Sequence, residues 1–472
     1  MTINRIDATA AVAHVKKLLA QETSLSPALV AAVEVLLMLV AALIGRLNLD
    51  SSNSSKPPST DPHRERRAQS RSPRPQGGQI GHVGTTLQQV ADPDQVQVLN
   101  VDRTSLPQGH YREVGYESRQ VVDIEISRVV TEYRAQILEN SQGQRFTAPF
   151  PAGVVGPVQY GNSVKVQAVY QSQFQLIPYK RVEDYLREQL IPVSAGSLYT
   201  FNQQAWAALE SFDLWVKNRL ATGDLIHADE TGINIGGKGH WLHCASNDRF
   251  TYYFAHPKRG LEAMDAMGIL PGFGGILVHD HWKPYYHYRC THALCNAHHL
   301  RELEYAGDLE VQQWAHAMHK LLLDLNKAVA AAGGVLPTQE ALDWRLRYRA
   351  LLHEAEKECP PPDAARPPGQ RGRLKRSKSR NLLERLRNFE DDVLRFIDNP
   401  LVPFTNNQGE NDIRMVKLHQ KISGCFRSKE GADIFCRIRS YLSTCRKHGI
   451  GPTPALTLLF EGNQPLFMKE NP

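Results

Sequence analysis
Two short apolar runs in the middle of this chain each deliver a carboxylate. Asp224–Asp229 reads as a strand ending in Asp229, and Gly275–His279 as a buried strand followed at once by Asp280. His240–Ala245 and Phe250–His256 read as two further strands with Asn247 and Asp248 at the turn, and Leu261–Met267 as a helix. This alternation predicts an open α/β sheet, which presents ligand-binding groups just past the ends of its strands.

Strand-end aspartates often only cap turns. As a pair on adjacent strands, Asp229 and Asp280 would make a hard oxygen site suited to Mg²⁺ or Mn²⁺. Two such ions roughly 4 Å apart can activate a hydroxyl and stabilise a leaving oxygen in phosphodiester chemistry. A third carboxylate would complete the site, and Glu302, Glu304, Glu310 and Glu410 are all candidates. Glu410 opens a helix behind Asn406 or Asn407 as N-cap, with Arg414 one turn on. Spacing alone does not choose among the four.

Six histidines (His279, His281, His287, His292, His298, His299) and two cysteines (Cys290, Cys295) surround Asp280. His292, Cys295 and His298 have zinc-ligand spacing, which makes a zinc-dependent hydrolase the main rival reading. No second Cys-x2-Cys pair closes such a site, so a structural zinc is not expected. The seven cysteines all lie beyond residue 243, which argues against a disulfide framework and for a reducing cytosol.

Near the N-terminus, residues 27–44 are apolar except for Glu34, almost long enough to span a membrane. Leu29, Val33, Leu36, Val40, Leu43 and Leu47 instead trace a heptad seam, with Ser26 as N-cap and Pro27 in the first turn. A pairing helix is the preferred reading, and no membrane partner is expected. The net charge of +6 is unevenly placed. Residues 51–80 carry +4 and residues 366–380 carry +7 (Arg366, Arg371, Arg373, Lys375, Arg376, Lys378, Arg380), which leaves −5 for the rest. Both stretches are rich in Pro, Ser and Gly and read as solvated basic tethers suited to phosphate contacts.

Between these landmarks, residues 114–138 alternate at period two and read as a hairpin in a small β-containing module. Residues 161–220 turn helical: Val164–Gln175, Lys180–Leu190, and a helix from Ser197 after a Pro/Gly turn, compatible with a helix-turn-helix. Helices follow over about 296–332, 339–359, 381–397, 408–421 and 432–447.

With these residues assembled, the chain resembles bacterial DDE transposases of the insertion-sequence-sixty-six family over nearly its full length. The resemblance rests on Asp50–Ser59 after a leucine-rich helix, Gly77–His82, Ala228-Asp229-Glu230-Thr231, and Asp280 in the second block. It continues in Cys295-Asn296-Ala297-His298 with Arg301, in Asn406-Asn407-x-x-Glu410-x-x-x-Arg414, and in Ser440–Gly449 with Pro452. Two departures stand out: there are no Cys-x-x-Cys pairs after Gly77–His82, and Gly409-Glu410-Asn411 replaces a common Ala-Glu-Arg.

The resemblance implies a multidomain α/β chain with a ribonuclease-H-like core and a helical insertion. It selects Glu410 as the third acid, with Asp229, Asp280 and Glu410 holding two Mg²⁺ or Mn²⁺ ions. It implies that His298, Arg301, Arg414 and Lys417 position phosphate, and that Arg64, Arg66, Arg67, Arg373, Lys375 and Arg376 meet the DNA backbone. The expected layout is a coiled-coil-like oligomerisation helix in 1–50, a basic linker in 51–80, a β-containing module in 81–160 and a helical DNA-binding region in 161–220. The catalytic core would take 221–294 and 401–448, the insertion 295–400, and a tail 449–472. Implied partners are double-stranded DNA (terminal inverted repeats and target), further copies of the chain and accessory proteins of the same element. The implied location is the bacterial cytoplasm, at the nucleoid. A catalytically degenerate DNA-binding protein is the other alternative.

Overall fold
A computed structural model describes residues 2–3, 6–21, 25–47, 87–361 and 376–469. The chain divides into a large unit (residues 1–64 and 133–472) and a small one (65–132). In the small unit, residues 87–132 form no strand. Their regular structure is a 3₁₀ turn at Arg103–Ser105 capped by Asp102, and Gln120 bonds both backbone groups of Val90. The hairpin expected over 114–138 is therefore corrected. Val122, Ile124 and Ile126 are exposed, and among the described residues no strand pairs with them.

In the large unit, β1 (Thr2–Ile3) pairs with β2 (Ile6–Asp7), followed by α1 (Ala8–Gln21) and α2 (Pro27–Leu47). Ser26 caps α2 as expected, its hydroxyl accepting from the Leu29 N–H at 3.3 Å. α1 packs on α2, but among the α2 residues whose side chains are described Leu37 alone is buried, while Leu29, Leu36, Val40 and Leu43 of the heptad seam stay exposed. No helix among the described residues is long and apolar enough to cross a membrane. A small exposed hairpin follows, β3 (Ile137–Glu139) with β4 (Arg145–Thr147). Asn140 Oδ1 closes its turn by accepting from the Gln142 and Gln144 N–H groups.

The core is a five-stranded sheet. Its strands are β5 (Leu225–Ile235), β6 (Lys238–Ser246), β7 (Thr251–His256), β8 (Ile276–His279) and β9 (Thr291–Leu294). They lie in the order β7-β6-β5-β8-β9, with the first three antiparallel and β5-β8-β9 parallel. The strand expected to end at Asp229 runs on to Ile235. Its pairing with β8 stops at His227, while pairing with β6 continues through Asp229↔Cys244 to Ile235↔Lys238. Asp229 thus stands mid-strand, at the point where a parallel neighbour gives out.

One face of the sheet is covered by α3 (Asn162–Val169), α4 (Tyr179–Glu188), α5 (Ala195–Ala208) and α6 (Glu210–Ala221). α7 (Leu261–Met267) lies with them. Val166, Leu198, Phe212 and Val216 share a buried cluster with Ile226, Ala228 and Leu277. α5 begins earlier than the expected Ser197, because the Ser194 hydroxyl accepts from the Ser197 N–H and caps the helix there.

After β9 come α8 (Asn296–Asp308), α9 (Gln313–Ala331), α10 (Thr338–Glu358), α11 (Lys378–Asn388) and α12 (Glu390–Leu394). They gather Leu303, Met318, Leu322, Tyr348 and Leu383 into a second core resting on Val278 and Leu294. The sheet then receives α13 (Asn407–Ser423) and α14 (Lys429–Lys447), and α15 (Pro452–Phe460) packs on α3, α5 and α14. A third cluster joins Ile413 and Val416 of α13 to Ile233, Ile235, Leu242 and Cys244.

The second basic stretch also needs correction. Arg376, offered as a tether residue, is ion-paired with Glu384. Arg380 is buried, bonded to Glu356, to Glu384 at 3.1 Å and to the Cys359 carbonyl at 2.9 Å, and Lys378 sits 4.2 Å from the Tyr305 ring centre. Acids on α10 and α11 draw this end of the run into the fold. Arg64, Arg66, Arg67, Arg373 and Lys375 lie outside the described residues, as do Asp50–Ser59 and Gly77–His82.

Candidate active site
Strand parity decides which side chains can meet. Side chains alternate across a sheet. On β5, Ile226 and Ala228 enter the core under α3–α6, so Asp229, Ile233 and Ile235 face the opposite side, toward α13. On β8, Leu277 faces the α3–α6 side and Val278 the other. Continuing the register His227↔Val278 by two residues sets Asp229 beside Asp280. Continuing His279↔Leu294 by one sets Asp280 beside Cys295. Asp280 is held in a turn, where its Oδ1 accepts from the Trp282 N–H at 3.0 Å and His281 adopts φ +68°. That left-handed backbone at a non-glycine residue is strain of the kind that collects at functional sites.

α13 completes the group. Asn406 stands at its N-cap position, yet its side chain does not cap the helix. The carboxamide instead accepts from His227 Nδ1 at 2.7 Å and donates to the Ala228 carbonyl at 2.9 Å, while its backbone N–H donates to Cys295 Sγ at 3.1 Å. These bonds fasten the start of α13 across β5 and β9, and Glu410 follows one turn later. Of the four candidate third acids, Glu302 is engaged by Arg385 at 2.9 Å, and Glu310 accepts from the Ser379 N–H at 3.0 Å. Glu410 is the one whose charge is felt at Asp229, and its Oε1 is buried without a hydrogen-bond partner.

Crowded, half-buried acids repel one another's charge. Burial first, then the charges of Glu230 and Asp280 and, less, Glu410, push the Asp229 carboxyl well above its usual range. His298 is kept neutral by burial and by Arg301, against the pull of Asp280 and Glu410, and its Nδ1 is buried without a partner. Lys417 donates to the Gly232 carbonyl at 3.2 Å and lies near Asp229. The structure thus gathers Asp229, Asp280, Glu410, His298, Arg301 and Lys417. Arg414, one turn beyond Glu410, is exposed on α13.

Two features had no clear sequence signal. Glu230 points to the other face, where Arg259 donates to it at 2.8 and 2.5 Å and Tyr285 at 2.5 Å. The Arg259 guanidinium is itself stacked between Trp241 (4.8 Å) and Trp282 (4.1 Å). Glu230 is therefore a buttress beneath the acids. The second feature is a neutral histidine chain: the His281 N–H donates to His279 Nδ1, His279 Nε2 donates to His292 Nδ1 at 3.1 Å, and His292 Nε2 donates to the Tyr288 carbonyl. This occupies His292 and removes it from the ligand set drawn from His292, Cys295 and His298.

A model of the transposase IS66 family matches residues 157–434. An uncharacterized protein, y4jO, of Sinorhizobium fredii is 31% identical over 145 residues, which is 29% of this chain and 43% of that protein's length.

Proposed function
The chain belongs to the IS66 transposase family, and from that premise we propose that it cleaves DNA at the ends of a mobile element and transfers the cut strand to target DNA. The observation that carries this reading is the convergence of Asp229, Asp280 and Glu410 from β5, the end of β8 and α13 into one half-buried group. The sheet order, with three antiparallel strands flanked by two parallel ones and an acid in the middle of the first, supports a ribonuclease-H-like core interrupted by the insertion α8–α12.

The residues fit divalent cations. An all-oxygen acid set, a carboxyl held far above its usual range and an unpartnered buried Glu410 oxygen are what bound positive charge would relieve. Asp229, Asp280 and Glu410 would hold two ions, which supply Lewis-acid activation of the attacking hydroxyl and stabilise the leaving oxygen. The protein's own groups do the rest. Lys417 offers an ammonium to a phosphate oxygen beside Asp229, and neutral His298, backed by Arg301, orients the scissile phosphate. α4 and α5 supply the helix-turn-helix reading, in which α5 would enter the major groove. The exposed apolar seam of α2 suits pairing with a second copy of the chain.

The test is Mg²⁺-dependent cleavage and strand transfer on the element's own terminal repeats, comparing wild type with Asp280→Asn. DNA binding should persist while cleavage falls by about 10²-fold or more. An Asn variant that cleaves as well as wild type overturns the mechanism.

A further inference from the structure
We propose that Cys295, His298 and Glu410 form a binding site for a borderline-soft transition-metal dication of the zinc class, which shares Glu410 with the two-ion reading and His298 with its phosphate contact.

Ligand atoms of these three residues all lie within 4.8 Å of one another. With zinc–sulfur bonds near 2.3 Å and zinc–nitrogen or –oxygen bonds near 2.0 Å, tetrahedral ligand pairs stand about 3.3–3.6 Å apart, so a contraction of about 1 Å closes the site. Rotation of the Glu410 and His298 side chains supplies that range. Two of the three residues contribute a buried polar atom with no partner, His298 Nδ1 and Glu410 Oε1. Unsatisfied buried polar atoms are uncommon, and two in one cluster point to something that joins them.

The donor types set the metal. A thiolate and an imidazole favour zinc-like ions, whereas magnesium and calcium favour oxygen alone. Burial pushes the free Cys295 thiol up to about 11, so the arriving metal must itself displace the proton. Cys295 is the N-cap residue of α8, and its sulfur accepts from the Asn406 N–H at 3.1 Å. On binding, the S–H bond breaks, a sulfur–metal bond forms and the proton leaves to solvent. Three protein ligands leave a fourth position open. His292 is not among them, because the neutral histidine chain already uses both its nitrogens. The bound ion would fasten the two ends of the helical insertion, since Cys295 precedes α8 and Glu410 lies in the first turn of α13.

The experiment titrates metal-free, full-length protein with Co²⁺ under reducing, anaerobic conditions. One equivalent should produce a thiolate-to-cobalt charge-transfer band and tetrahedral ligand-field bands, both erased by one equivalent of Zn²⁺. Cys295→Ser should abolish the charge-transfer band, and His298→Ala should weaken Co²⁺ binding about 10-fold or more. Asp280→Asn should keep the band while losing Mg²⁺-dependent cleavage, so this site and the two-ion reading can fail independently. X-ray absorption of the zinc-loaded wild type requires no variant, and one sulfur in the first shell is expected. No charge-transfer band, a band that survives Cys295→Ser, or a zinc shell without sulfur overturns the proposal.

Discussion
Asn406 accepts a hydrogen bond from His227 Nδ1 at 2.7 Å, across 179 residues of chain. Because its NH₂ group donates to the Ala228 carbonyl, its oxygen must accept, which fixes His227 as the Nδ1–H tautomer. Burial also holds His227 neutral. One carboxamide therefore aligns the strand carrying Asp229 with the helix carrying Glu410. Asn406→Ala would leave a buried donor and a buried acceptor unpaired and should cost about 1–3 kcal/mol. A lower urea midpoint at unchanged slope is the expected result.

Asp229 gives stability a pH dependence whose sign can be worked out. Its folded carboxyl lies well above 3.8, mainly through burial, so the folded state favours the neutral form. The stability it contributes is full below the unfolded value and is lost as pH rises through the folded one. Metal-free Asp229→Asn should therefore melt above wild type at neutral pH, and the two should converge in acid. Divalent cation should raise the wild-type melting temperature and narrow the gap. Melting curves across pH, with and without Mg²⁺, check this.

A methyl group at residue 275 has nowhere to go. A Cβ there would lie 2.5 Å from the Asp224 carbonyl oxygen and 2.6 Å from that of Gly223. Gly275→Ala must push β8 from β5 and so part Asp280 from Asp229, at about 1–3 kcal/mol. Cleavage should fall in the same variant, measured on protein still folded by circular dichroism.

The basic residues should separate into two behaviours. Neutralising Arg64, Arg66 and Arg67 together should flatten the salt dependence of DNA affinity, by up to about 0.9 in log–log slope for each phosphate no longer neutralised. Arg380→Gln should leave that slope alone and destabilise the fold by about 3 kcal/mol, because it strips partners from Glu356 and Glu384. Fluorescence titrations at several salt concentrations, beside chemical denaturation, distinguish them.

Leu36 and Leu43 are 60% and 57% exposed on α2. Glutamate at both positions should leave the fold intact and lower the oligomeric state in sedimentation experiments.

What was readable from residue order was local. Apolar runs ending in carboxylates located Asp229 and Asp280, and turn and cap chemistry located the helix of Glu410. The length of β5 was obscured by Glu230, Gly232 and Asn234, although Thr231, Ile233 and Ile235 kept the period of two. Four-residue β9, rich in neither branched nor aromatic side chains, fell below any pattern. The tie from Asn406 to His227 and the burial of Arg380 depend on partners distant in sequence, and such pairings leave no periodic trace.

The helical segment α8–α12 enters at Cys295 and Asn296 and leaves at Phe404–Asn406, and hydrogen bonds join these ends: the Asn296 N–H to the Phe404 carbonyl and the Asn406 N–H to Cys295 Sγ, each at 3.1 Å. Chain-closure entropy grows only with the logarithm of loop length, about 0.6 kcal/mol per doubling. With its mouth already shut and its own apolar core inside, the segment can lengthen or shorten over evolutionary time at little thermodynamic penalty. The acids at its threshold would not register the change.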